Sequence, residues 1–175
     1  MIPNQPPSPF LNEDHEAWRD TVRRFTEREI EPHVEEWEAA ERLPRELYRK
    51  AAEMGFFAAH YPEDVGGLGL DVFYMIVASQ EMARAGSGGV SASLGSHAIG
   101  LPPVVRAGSD ALKRRIVPQV LSGEKIMALA ITEPSGGSDV ANLQTTARRD
   151  GDHYVVNGSK TFITSGMQAD FITVA

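Results

Sequence analysis

Two stretches of the chain decide how the rest is read: Met127-Ala128-Leu129-Ala130-Ile131-Thr132-Glu133-Pro134-Ser135-Gly136-Gly137-Ser138-Asp139 and Lys160-Thr161-Phe162-Ile163-Thr164-Ser165-Gly166. In the first, an apolar run delivers Thr132 to a strand end and a glycine-rich turn follows. In the second, a later strand brings another hydroxyl, Thr164. Two such ends side by side form a polar shelf beside an apolar wall, the surface a flat amphipathic molecule with a phosphate tail requires.

The glycines of the turn let backbone N–H groups approach an anion without Cβ obstruction, and Ser135 and Ser138 add donors. An ordinary loop is the alternative for this turn taken alone. No Gly-Lys-Ser/Thr follows it, and the Gly-x-Gly-x-x-Gly spacing is missing, so neither standard nucleotide fingerprint applies. Thr132 and Thr164 taken singly read as strand threonines chosen for β-branching. Their conjunction with the turn, and with a Phe162 ring suited to packing on a planar heterocycle, favours a binding role.

Around these stretches the hydrophobic period alternates. The run Met127 to Thr132, then Thr145 to Arg149 before Asp150-Gly151, then Tyr154 to Val156 before Asn157-Gly158, predict an antiparallel meander with tight turns at both dipeptides. Asp170 to Ala175 reads as a further strand barely begun, which would leave an open edge; a chain that continues beyond Ala175 is therefore expected.

Upstream of Glu124 the period is helical. Asn12 caps a helix whose first turn holds Glu13 and Asp14. Trp18, Val22 and Phe25 recur along it, and after a phase slip so do Ile30, Val34 and Trp37, with Pro32 kinking or dividing it. A second helix opens at Pro44, buries Leu47, Ala51 and Met54, and closes at Gly55. A third covers Val72 to Ala85, with Phe73, Ile76, Val77 and Gln80 on one side. Pro62 to Gly69 between them is an ordered loop. Small apolar residues from Ser91 to Val105 suggest one closely packed helix, bent or ended by Pro102 and Pro103. A last helix starts at Ser109-Asp110, carries Leu112, Ile116 and Val120, and ends at Ser122-Gly123. Helices followed by strands define an α+β arrangement: a lead-in over 1–11, an all-α unit over 12–124 and part of an antiparallel β unit over 125–175.

Composition narrows the function classes. At 175 residues and 42% apolar the chain holds one good core or two small ones. A formal charge of −7 with scattered basic residues argues against nucleic acid or anionic membrane as partner. No apolar stretch approaches the ~20 residues of a bilayer span. Without cysteine there is no disulfide, thiolate nucleophile or thiolate metal site, and an intracellular, cytoplasmic address fits. The proline-rich start lacks the basic and apolar regions of a secretory signal. Glu29 and His33, four apart on a helix, have no third ligand nearby and read as a charge contact rather than a metal pair. His97 has no carboxylate partner or serine elbow and reads as packed or solvent-linked. Asp150, Asp152 and the run Glu35, Glu36, Glu38 read as solvated charges.

From about Asn12 to Ala175 the chain resembles the N-terminal portion of an acyl-CoA dehydrogenase, a family of flavoproteins that desaturate acyl-CoA thioesters. The most specific matches are Thr132-Glu133-Pro134 followed by Gly137-Ser138-Asp139, and Asn157-Gly158-Ser159-Lys160 leading into Phe162-Ile163-Thr164. Pro62-Glu63 with Gly66-Gly67-Leu68-Gly69, and Ile116-Val117-Pro118 leading to Ser122-Gly123-Glu124, support them. The resemblance implies a helical domain, a middle β domain and a C-terminal four-helix domain, of which this chain holds the first and about half of the second.

It further implies that Leu129, Ile131, Thr132 and Ser138 lie along FAD, that Phe162, Ile163 and Thr164 cover its ring, and that Thr164 faces the hydride-accepting nitrogen. Ser138, Leu94 and His97 become substrate contacts by the same resemblance. The implied reaction removes the α proton with a glutamate supplied outside this chain and transfers the β hydrogen as hydride, with electron-transferring flavoprotein as acceptor and a homodimer or homotetramer as assembly. Leu129 stands where an aromatic residue is frequent, Phe162 where tryptophan is, Ser165 where asparagine is, and Ser135 where glycine is. An oxidase that passes electrons to oxygen, and a non-catalytic binding module, remain the alternatives.

Overall fold

The computed structural model describes residues 8–175; the part of the expected lead-in over 1–7 lies outside them. The first helix, α1 (Glu13–Phe25), is capped as its sequence requires: the Asn12 side chain accepts from the His15 N–H at 2.9 Å, and His15 Nδ1 accepts from the Asn12 N–H at 3.1 Å. A π-helical turn at Thr26–Ile30 and a 3-10 turn at Glu31–His33 then lead into α2 (Val34–Ala39). This is the physical form of the phase slip. Pro32 has no N–H to donate, and the wider turn just before it absorbs one residue, so Ile30 and Trp37 still face inward.

Pro44 stands immediately before α3 (Arg45–Glu53), which buries Leu47, Tyr48 and Ala51. Asp71 caps α4 (Val72–Met82) through the Phe73 N–H, and a 3-10 turn ends at Gly86, whose φ of +71° suits glycine. The α4 face differs from the expected one: Val77, Ala78, Glu81 and Met82 are inside, whereas Ile76 is 44% exposed and Gln80 lies outside. The cause is the pairing with α1, whose Arg19 and Arg23 bond Glu81 at 3.1 and 3.0 Å and draw that carboxylate inward. Burial pushes the Glu81 carboxyl up, but the bonds from Arg23 and Arg19 outweigh it and hold it below the ordinary range.

The single helix expected over 91–105 is two, α5 (Gly88–Gly95) and α6 (Leu101–Ala107). Pro102 and Pro103 sit in the first turn of α6, where a missing N–H costs nothing, so they begin a helix rather than end one. The last helix, α7 (Asp110–Leu121), is capped by Ser109. One core joins these helices through Val22, Tyr48, Leu94, Leu101, Val117 and Val120, and continues into Ile126 and Met127 of the strand region.

That continuation is β1 (Met127–Ala130). It pairs in parallel with β4 (Phe171–Val174), Met127 opposite Phe171. Between them β2 (Thr146–Asp150) and β3 (His153–Asn157) form a separate antiparallel hairpin, turned by Gly151 at φ +60°. The meander expectation is therefore corrected: the α+β order holds, but only the hairpin is antiparallel. No turn follows at Asn157-Gly158; glycine is needed there because a Cβ would lie 2.2 Å from Thr145 Oγ1. Glu29 and His33 also turn to other partners, Lys50 at 2.8 Å and Glu36 at 3.8 Å. Glu38 is exposed, as expected, and also accepts from Ser87 Oγ at 2.7 Å.

Candidate functional site

β1 carries the chain from the helical core to Ile131 and Thr132, and the segment returning from the hairpin meets it there. The Thr161 N–H donates to the Thr132 carbonyl at 2.9 Å, and Lys160 Nζ donates to the Ile131 carbonyl at 2.9 Å. Residues 129–132 and 160–164 thus adjoin, although far apart in sequence. Leu129, Ile131, Thr132 and Ile163 are half-buried, and Ser138, Phe162 and Thr164 are exposed.

Glu133 locks this junction. Its carboxylate, 4% exposed, accepts from the Thr145 hydroxyl at 2.6 Å, the Gln144 N–H at 2.6 Å, the Thr145 N–H at 2.8 Å and Lys160 Nζ at 2.9 Å. The Thr145 hydroxyl, the Gln144 amide and Lys160 together hold the carboxyl down at about 2. The Glu133 backbone also exchanges hydrogen bonds with Gly136 at 3.0 and 3.1 Å, closing a tight turn at Pro134-Ser135. A Cβ on Gly136 would meet open space, so the turn presents bare backbone outward.

The opposite rim is a turn under backbone strain. Phe162 and Ser165 adopt φ of +56° and +60°, a region that side-chain-bearing residues enter only where the surroundings enforce it, and such outliers gather at binding sites. Inside the turn the Gly166 N–H donates to the Ile163 carbonyl, and the Gln168 and Ala169 N–H groups donate to the Ser165 carbonyl, each at 2.9 Å. Its far end is clamped to the helical core. Asp170 accepts from the Ile126 N–H at 2.8 Å and from Arg45, and lies 3.5 Å from Lys125 Nζ. Arg45 also donates to the Gln168 carbonyl at 3.1 Å. Burial raises the Asp170 carboxyl, but the Ile126 amide and Arg45 bring it below its ordinary value.

The arrangement is an open shelf. One rim supplies Thr132 and the glycine turn, the other Thr164 and a Phe162 ring that is 92% exposed. A large apolar ring so exposed on strained backbone is the surface a planar heterocycle covers, and the exposed hydroxyls and backbone suit its polar edge, so FAD fits the residues present. A cleft of the described surface lies elsewhere, between Trp37, Arg42, Val90 and Ser93. Among the described residues no group of three or more acidic, histidine or cysteine residues is placed to hold a metal, and no helix is long and apolar enough to cross a membrane.

Leu94 and His97 do not reach this surface; both are fully buried. His97 Nε2 lies 2.8 Å from the Val120 carbonyl, its ring packs on Phe57 at 4.2 Å, and its Nδ1 has no partner. Burial pushes the imidazole down to about 4, the Val120 carbonyl opposing only in part. Glu133, Lys160, Arg45 and Asp170 carry no role in the reading of the sequence, although Glu133 and Lys160 stand inside its most specific matches. A signal was present, since an acid directly follows the first apolar run and a lysine directly precedes the second segment.

Known proteins match both regions. The family model for the acyl-CoA dehydrogenase N-terminal domain covers residues 12–124, and that for the acyl-CoA dehydrogenase middle domain covers 128–175. The 3-(aryl)acrylate reductase of Clostridium sporogenes is 39% identical over 166 residues, covering 94% of this chain and 44% of the relative. The crystal structure of an acyl-CoA dehydrogenase homologue from Mycobacterium smegmatis has a TM-score of 0.90 at 53% identity, covering 96% of this chain and 44% of that one. A glutaryl-CoA dehydrogenase from Mycobacterium smegmatis in complex with FADH2 has a TM-score of 0.87 at 30% identity, over 94% and 42% of the two chains. The chain thus spans less than half the length of these relatives. From matches on both sides of the helix-to-strand change, the chain belongs to the acyl-CoA dehydrogenase family.

Proposed function

We propose that the protein is an FAD-dependent acyl-CoA dehydrogenase. The observation that carries this is the junction at Thr132, where the Thr161 amide and Lys160 hold Ile131 and Thr132 against the start of the segment that carries Phe162 and Thr164. When bound, FAD would supply the acceptor for the β hydrogen of an acyl-CoA thioester, taken as hydride. The glutaryl-CoA dehydrogenase complex with FADH2 supports the assignment of the cofactor.

The chain's own residues then have distinct tasks. Thr132 and Thr164 donate hydrogen bonds to the polar edge of the ring system, while Leu129, Ile131 and Ile163 give it an apolar bed. Phe162 covers a ring face and keeps water from it, which strengthens every nearby electrostatic interaction. Ser138, at the exit of the glycine turn, contacts the cofactor and the arm of the acyl-CoA. Leu94 and His97 lie behind the shelf in the helical core and shape it without touching a ligand. Neither buried carboxylate of the chain serves as the base for the α proton. Glu81 is held by two arginines, and Glu133, at about 2, is too acidic to take it. The family resemblance implies a glutamate supplied from outside this chain as the base. Electron-transferring flavoprotein as acceptor, and a cytoplasmic homodimer or homotetramer, complete the reading by family resemblance.

The test is the visible spectrum of the purified full-length protein. A yellow chromophore that bleaches without oxygen on addition of an acyl-CoA is the expected result. Protein that stays colourless after FAD is added would reject the reading in favour of a non-catalytic module, and rapid recolouring in air would reassign it to the oxidases.

A further inference from the structure

We propose that Tyr48 is a positioning residue for the shelf: its hydroxyl, reaching from the helical core to Ser165, fixes the turn that presents Phe162 and Thr164. The inference rests on the flavin reading for its consequence, but its geometry stands apart from any ligand.

Tyr48 lies on α3 and is fully buried, its ring packed beside His97 at 5.1 Å and Phe57 at 6.4 Å. Its backbone is equally fixed, because Gly123 at the end of α7 approaches so closely that a Cβ there would lie 2.4 Å from the Tyr48 carbonyl oxygen. A phenol in such a place needs a partner for its hydroxyl. Among the described residues the one within reach is Ser165 Oγ, at 3.4 Å. An aliphatic side chain would fill the same core space; what the tyrosine adds is a polar tip at the edge of the core, aimed at a single residue of the turn.

That residue is where the turn needs support. Ser165 is one of its two left-handed positions, with Thr164 between it and Phe162. The Phe162 and Met167 side chains gain almost no packing of their own, being 92% and 101% exposed. Its other ties to the helices, from Arg45 and Leu43, arrive at Gln168 and beyond. Tyr48 therefore supplies the contact from the rigid core to the middle of the turn, and through Ser165 it governs where the Thr164 hydroxyl and the Phe162 ring stand.

Tyr48→Phe, Ser165→Ala and the double variant of the full-length protein test this. Tyr48→Phe keeps the ring and its packing and removes only the hydroxyl. Flavin binding is expected to weaken by roughly two- to tenfold, the range of one net hydrogen bond, equally in both single variants and no further in the double. The band shape of bound flavin should change with it, which loss of general stability would not cause. Hydrogen exchange of residues 162–168 without flavin reads the contact directly, and should quicken in Tyr48→Phe. Wild-type exchange and flavin affinity in Tyr48→Phe would overturn the inference. Wild-type protein that binds no flavin, with exchange still faster in the variant, would instead sink the proposed function and leave the contact standing.

Discussion

Acidification from pH 7 to pH 5 should weaken the helical core by about 2 kcal/mol through His97 alone. The folded imidazole titrates at about 4, against 6.5 when exposed. As pH falls, the unfolded chain therefore binds the proton first. Stability is full above pH 6.5 and declines until the folded ring also titrates near 4. The whole gap corresponds to about 3 kcal/mol at about 1.4 kcal/mol per unit, of which about 2 kcal/mol has gone by pH 5. The structural reason is that a second N–H would appear on Nδ1, which has no acceptor, between the Phe57 and Tyr48 rings. His97→Asn keeps an N–H donor but does not titrate. Chemical denaturation followed by Trp18 and Trp37 fluorescence should show the wild type more stable at pH 7, with its advantage reduced by about 2 kcal/mol at pH 5. Carboxylates titrate alike in both proteins and cancel. An advantage that stays constant between pH 7 and pH 5 would refute the account of His97.

Thr164→Val should weaken flavin binding or slow flavin reduction by roughly tenfold, as loss of one hydrogen bond allows; stopped-flow bleaching by acyl-CoA measures it, and unchanged spectra and rates would reject the role of the hydroxyl. Glu133→Gln should loosen the strand junction, seen as faster exchange of the Gln144 and Thr145 amides. Because the Glu133 carboxyl is depressed to about 2, its contribution is present above the ordinary 4.5 and lost as pH falls through 2, so the variant's acid unfolding limb should flatten within that window. Gly123→Ala combines a φ of +67° with a Cβ 2.4 Å from the Tyr48 carbonyl oxygen, and should lower stability by more than about 2 kcal/mol in thermal unfolding.

Much of the helical region was legible because its signals are local. Asn12 and Ser109 are caps that act within three residues, and Asp150-Gly151 dictates its own hairpin. What escaped was set by distant partners. Nothing near Glu81 announces that two arginines from α1 will pull it inside, and so the buried face of α4 was misjudged. Pro102 and Pro103 fit either end of a helix, and only the surrounding packing decides between them. The parallel pairing of Met127 with Phe171 has no short-range signature, because the intervening excursion, not a turn, sets it. At the candidate site the threonines and the glycine turn could be read directly. The carboxylate that binds their supports together could not, since its donors come from Gln144, Thr145 and Lys160.

Pairing β1 with β4 gives the two regions of the chain a shared fate. β1 is an outgrowth of the helical core, β4 hangs on β1, and Asp170 pins both to α3 through Arg45. Melting of the helices would therefore dissolve the shelf in the same cooperative step. By linkage the reverse also follows: a tight-binding molecule held on the shelf raises the midpoint of unfolding for α1 and α4, helices it never touches.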